Sequence, residues 1–98
     1  PMTRDCVISL LQLAMPELST RFVVRHLMLF GSFARNAARP DSDVDIFVEF
    51  DQPISLFGLA SLKARLEALL GRSVDIGSID SLRPEARREI MAEALRVA

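Results

Sequence analysis

Cysteine occurs once in these 98 residues, at Cys6. No disulfide can form within the chain, and a reducing, cytoplasmic setting is the expectation. Histidine also occurs once, at His26. No apolar run approaches the roughly eighteen residues that a membrane helix needs. The stretch Val7 to Met15 is interrupted by Ser9 and Gln12 and lacks a cleavage site, so it does not read as a signal peptide. Charge of neither sign is in excess: 12 Lys and Arg against 13 Asp and Glu leave a net of −1. That balance argues against a protein that binds nucleic acid or a membrane surface in bulk. Internal repeats, low-complexity tracts and linkers are missing as well. What is present is a composition that is 50% hydrophobic, which is that of a globular chain. Its length suits one domain over residues 1–98, able to bury about two thirds of its unfolded surface.

The pattern along the chain alternates helix and strand. Thr3 can cap a helix whose apolar stripe is Val7, Leu10, Leu11 and Ala14, with Pro16 ending it or starting a further turn. Val23 to Phe30 reads as a strand ending at Gly31. A short helix over Ser32 to Ala38 is stopped by Pro40. Val44 to Phe50 is the clearest strand, with Val44, Ile46, Val48 and Phe50 on one face and Asp43, Asp45, Phe47 and Glu49 on the other. Ser55 to Leu70 carries a helical stripe at Leu59, Leu62, Leu66 and Leu69, with Gly71 as its C-terminal cap. Ser73 to Ile76 is a short strand, and Pro84 opens a last helix with Ala86, Ile90, Ala94 and Val97 facing inward. The expected fold class is α/β (α+β), a small mixed β-sheet with helices packed on it.

Three aspartates, Asp41, Asp43 and Asp45, stand directly beside the apolar run Ile46-Phe47-Val48. Period two places Asp43 and Asp45 on the same face at one end of a strand. Two carboxylates ~4 Å apart repel by about 4 kcal/mol at an effective dielectric of about 20. The chain must raise one pKa or bind a cation there. An oxygen-only donor set suits Mg²⁺ or Mn²⁺. Asp75 is a third acid, flanked by Val74 and Ile76 in a short apolar strand, where a charge is costly without a role. If that strand lies beside the Asp43–Asp45 strand, the three carboxylates converge. Gly31-Ser32 supplies the complement: a glycine lets backbone approach a ligand, and a helix starting there would aim free N–H groups at a phosphate. A nucleoside triphosphate with Mg²⁺ satisfies both halves.

Gly31-Ser32, ten residues, then Asp43-x-Asp45 and an apolar strand resemble the signature of the DNA polymerase β-type nucleotidyltransferase superfamily. The compact length, "GSFAR" and "SDVDIFVEF" are most similar to the minimal nucleotidyltransferases, the antitoxin halves of toxin–antitoxin pairs with helical HEPN ribonucleases. The resemblance runs from about Leu27 to the C-terminus. Asn36 stands where members often have glycine, and asparagine tolerates the same left-handed backbone. The resemblance implies two-metal nucleotidyl transfer: Asp43, Asp45 and Asp75 as catalytic metal ligands, usually for two Mg²⁺ (Mn²⁺ as the substitute), and Gly31 and Ser32 binding the pyrophosphate of ATP. It also implies a HEPN toxin as partner, AMP added to a tyrosine of that toxin, and a hetero-oligomer.

Plainer readings accompany these. "P-D-S-D" is good turn chemistry, which accounts for Asp41 and leaves it outside the site. Arg35 and Arg39 taken singly are surface charges, His26 is structural, and Cys6 and Met15 belong to core or interface. Arg83, Arg87, Arg88 and Arg96 against Glu85, Glu89 and Glu93 describe a solvated helix face. Three functions stay open: an adenylyltransferase antitoxin, a non-catalytic antitoxin that neutralises by covering its partner, and a stand-alone nucleotidyltransferase with a small-molecule or RNA acceptor. Intact acids favour an enzyme, and the short length favours an acceptor brought by a partner. Ile8, Leu13, Ile54, Leu56 and Phe57 fall outside the assigned core stripes and are the expected interface.

Overall fold

The computed structural model describes residues 2–98. In chain order its elements are α1 (Arg4–Phe22), β1 (Val24–Phe30), α2 (Gly31–Ala34), β2 (Val44–Phe50), α3 (Leu56–Leu70), β3 (Val74–Ser78), a 3₁₀ turn (Ile79–Ser81), α4 (Pro84–Glu93) and β4 (Leu95–Arg96). The sheet order is β3-β2-β1-β4. β1 runs antiparallel to both β2 and β4, while β2 and β3 are parallel, joined by α3 as the crossover. The sheet is mixed, as the sequence pattern predicts.

α1 starts where Thr3 Oγ1 accepts a hydrogen bond from the Cys6 backbone N–H at 3.2 Å. It does not stop at Pro16, as one reading of the sequence has it, but continues for six further residues, through Phe22. A proline inside a helix costs about 3 kcal/mol or more. Beyond it, Leu18 and Phe22 are buried on the same stripe as Val7, Leu11 and Ala14, and each such side chain contributes roughly 1.5–3 kcal/mol. Burial offsets the break. Val23 is not the first strand residue. It caps α1 in the left-handed conformation (φ 51°), which turns the chain into β1 without a loop. A β-branched residue held there carries strain of order 1–3 kcal/mol. α1 and α3 are further clasped by Arg65, whose Nε and Nη2 donate to the two Glu17 carboxylate oxygens at 2.9 Å each.

The core lies between one face of the sheet and these two helices. Val24, Leu27 and Leu29 of β1, Val44, Ile46, Val48 and Phe50 of β2, and Val74 of β3 pack against Val7, Leu11 and Leu18 of α1 and Leu62, Leu66 and Leu70 of α3. The α3 stripe is rotated slightly from the one read in the sequence: Leu70 is buried, while Leu59 and Leu69 are half-buried at its margins. Ser55 caps α3 through Gly58 N–H at 3.0 Å, and Gly71 ends it at φ 65°.

The C-terminal end departs further from expectation. α4 buries none of its residues and stops at Glu93. Ala94 is extended, and Leu95–Arg96 pair with Leu29 and Met28 of β1. Val97 is buried through this strand, its N–H donating to Leu27 O at 2.8 Å, and Gln12 Nε2 donates to Val97 O at 3.0 Å. Ile90, Ala94 and Val97 satisfy helical spacing equally well in sequence. The open edge of β1, which needs hydrogen-bond partners, decides for the strand.

Candidate active site

Period two sends Asp45, Phe47 and Glu49 of β2 to the sheet face opposite the core. The parallel register sets Asp45 against Asp75, and Phe47 against Gly77. The strand Val74–Ser78 therefore does lie beside β2, and Asp45 and Asp75 are lateral neighbours. Asp43, two residues before Asp45 and just outside β2, is exposed. Asp45 is the half-buried member. Burial pushes its carboxyl above the usual carboxylate range, and the charge of Asp75, a hydrogen bond with Asp75 and the charge of Asp43 push it the same way. Arg35 acts in the opposite direction.

Gly31 follows β1 directly as the first residue of α2 and adopts φ 72°. It is buried, and a Cβ there would overlap Asp45 Oδ2. Both the backbone angle and the space demand glycine. The Asp45 carboxylate thus rests directly on the β1–α2 junction. Ser32 follows as the second residue of α2, half-buried. α2 is shorter than the helix expected over Ser32 to Ala38: it is one turn, closed by Arg35 N–H to Gly31 O at 3.1 Å. Asn36 then takes φ 57°, the left-handed angle that lets it stand for glycine, and Ala37 N–H donates to Ser32 O at 2.8 Å. One turn has little macrodipole, so an anion held here would rely on individual backbone N–H groups and the Ser32 hydroxyl.

The loop that brings Asp43 to the site is organised by a residue the sequence did not single out. Arg72 Nη1 donates to Ser42 O at 2.8 Å and to Arg39 O at 3.4 Å, and its guanidinium lies 5.2 Å from the Phe33 ring centroid. Ser42 Oγ accepts from Arg39 N–H at 2.7 Å. Arg72 and Ser42 are thirty positions apart, and no local pattern announces such a contact.

Among the described residues no three His, Cys, Asp or Glu side chains already close around one point. The arrangement is a coupled Asp45–Asp75 pair with Asp43 adding its charge from outside. This set fits a divalent cation. All its donors are carboxylate oxygens, and their mutual repulsion is the kind a bound cation relieves. Asp41 is exposed, as are Arg35 and Arg39. His26 is tied structurally: its Nδ1 lies 3.0 Å from Ala98 O, and Arg96 Nη2 is 3.0 Å from the same nitrogen.

Residues 12–97 match the nucleotidyltransferase domain family. The chain is 38% identical over 96 residues to the protein adenylyltransferase MntA of Thermococcus cleftensis, covering 98% of this chain and 97% of that one. A solved candidate minimal nucleotidyltransferase superposes with a TM-score of 0.80 at 37% identity, covering 96% and 95% of the two chains. The structure of the tri-AMPylated Shewanella oneidensis HEPN toxin in complex with MNT antitoxin shares the fold, with a TM-score of 0.63 at 19% identity over 97% of this chain and 68% of that chain. Fold and site together define the class, a nucleotidyltransferase. Within that class the chain belongs with the minimal nucleotidyltransferases.

Proposed function

We propose that this protein is an adenylyltransferase antitoxin that moves AMP from ATP to a tyrosine of a HEPN-type helical toxin. The observation that carries the reading is the junction at which Gly31, Asp45 and Asp75 meet, with backbone N–H groups on one side and crowded carboxylates on the other. Asp43, Asp45 and Asp75 would hold Mg²⁺, with Mn²⁺ as a substitute. When bound, the metal neutralises phosphate charge and lowers the pKa of an attacking hydroxyl. Gly31 N–H and the Ser32 N–H and hydroxyl bind the outgoing pyrophosphate. Asp75, the exposed acid on the outer strand, accepts the proton of the acceptor hydroxyl.

Two further features support an acceptor carried by another molecule. None of the 98 residues is tyrosine. The chain also exposes Leu13, Leu56 and Phe57, at 80%, 83% and 88% of their surface. Leu56 borders a cavity of about 760 Å³ shared with Phe50, Ile54, Leu59 and Ile76. Exposed apolar groups, one of them (Leu56) on the rim of a groove of this size, support a docking surface for the partner. Ile8 and Ile54, expected in the same interface, are half-buried against the core. ATP as donor and a free, exposed Cys6 both suit a cytoplasmic setting.

The test is mass spectrometry of the cognate helical partner after incubation with this protein, ATP and Mg²⁺. One or more AMP additions on a tyrosine are expected. A partner whose toxicity is blocked with no mass shift under any nucleoside triphosphate would replace this reading with a purely covering antitoxin.

A further inference from the structure

The metal and phosphate groups leave part of the catalytic face unused. Across Asp45 and Asp75 lies a cavity of about 300 Å³, lined also by Phe30, Ile46, Phe47, Ile76 and Gly77. Its position is asymmetric. Of the lining residues only Phe30 comes from β1, and the rest come from β2 and β3, so the cavity lies over the β2–β3 seam. The Gly31–Ser32 junction lies on the other side of Asp45, at the end of β1.

Two aromatic rings build the slot. Phe30 and Phe47 meet edge to face, with centroids 6.1 Å apart and planes at 80°. Phe47 lies across Gly77, where an added Cβ would sit 2.7 Å from Phe47 Cε1. Glycine is needed at this position for the space above it, which the Phe47 ring occupies. Any side chain there would force the Phe47 ring out of its present position.

We infer that this slot seats the aromatic ring of the acceptor, so that Phe47, Phe30 and Gly77 determine the choice of a phenolic over an aliphatic hydroxyl. The inference rests on the nucleotidyl-transfer reading. In-line displacement puts the entering oxygen opposite the leaving pyrophosphate. With pyrophosphate at the β1–α2 junction and the α-phosphorus at Asp45, the acceptor must enter from the β3 side, which is where the slot lies. The ribose and base branch off that line at the α-phosphorus and do not share the acceptor's path. In the transfer the phenolic oxygen forms a bond to the α-phosphorus. The bond from that phosphorus to the bridging oxygen breaks, its electron pair leaves with pyrophosphate, and the phenol proton passes to Asp75 and then to water. A third ring against Phe30 and Phe47 extends the edge-to-face contact already present, which an aliphatic side chain cannot do.

The experiment measures AMP transfer to the cognate helical partner by wild type, Phe47→Leu, Phe47→Tyr and Gly77→Ala, with KM determined separately for ATP and for the partner. Melting temperatures verify that each variant is folded, and Phe47→Leu keeps an apolar side chain of similar size at the position. Phe47→Leu and Gly77→Ala should raise the partner KM about three- to tenfold, the scale of one lost aromatic contact, with ATP KM unmoved. Phe47→Tyr, which keeps the ring, should stay close to wild type. A rise in ATP KM with partner KM unchanged assigns the slot to the nucleobase and overturns the inference, as does a folded Phe47→Leu that leaves both constants alone. Wild-type protein that transfers nothing to the partner overturns the catalytic reading itself, and is told apart because it needs no variant.

Discussion

On β2, Val44, Ile46, Val48 and Phe50 are buried under α1 and α3, while the alternating Asp45, Phe47 and Glu49 face a side that α4 only partly overlaps. The contrast extends to the neighbours. Leu27 and Leu29 of β1 join the core, whereas His26 and Phe30 line cavities on the other face. α4 reaches that face through Arg87, whose Nη2 lies 3.6 Å from Glu49 Oε2, and through Met91. One face holds the fold with side chains that want only burial. The other carries acids that crowd one another. The same strand can serve both because its side chains alternate, so acidic crowding on one side does not dilute packing on the other.

The comparison predicts a separation of effects. Asp45→Asn should reduce AMP transfer far beyond the roughly 100-fold that losing a mere support of a metal ligand costs, measured by AMP incorporation. Retained transfer would place the reaction elsewhere. On the buried face, Leu66→Ala should destabilise by about 2–5 kcal/mol in denaturant unfolding, with transfer by the remaining folded protein intact. Gly31→Ala joins the two faces: its positive φ and its overlap with Asp45 should cost more than about 1 kcal/mol of stability and also abolish transfer.

A smaller effect has the opposite sign. The folded Asp45 carboxyl titrates above its ordinary range, so above that range the folded protein carries a charge it disfavours, while below it both states are protonated. Without metal, Asp45→Asn should therefore melt above wild type at neutral pH, and the gap should close below about pH 4. A wild-type melting point equal to or above that of the variant at neutral pH would mean the carboxylates are not strained. Smallest of all should be Phe57→Asp: a change within about 0.5 kcal/mol in the isolated domain, as for a surface position, yet loss of a stable complex with the helical partner in size exclusion.

The alternation over Val44 to Phe50, the capping residue Thr3, the leucine stripe after Ser55 and the glycine at 71 are local signals, and each element they mark is present. The same locality makes Gly31, Asp43 and Asp45 legible, because they flank or enter a strand whose two faces can be told apart by composition alone. Where burial competes with a local rule, the sequence misleads. Pro16 does not end α1, since Leu18 and Phe22 gain more from the core than the helix loses at the proline. Ala94 to Val97 fit a helix as well as a strand until the free edge of β1 is there to be paired.

Residue types and their spacing along one strand determined the acid pair at Asp43 and Asp45, the glycine before it and the nucleotidyltransferase signature they form. Tertiary structure alone decided that Asp75 stands in register with Asp45, that Arg72 pins the loop carrying Asp43, and that Phe47 lies across Gly77. These are contacts between segments roughly thirty residues apart. Hydrophobic periodicity reports only which face of an element is buried, whereas strand order and register follow from how the whole chain closes its core and pairs its edges.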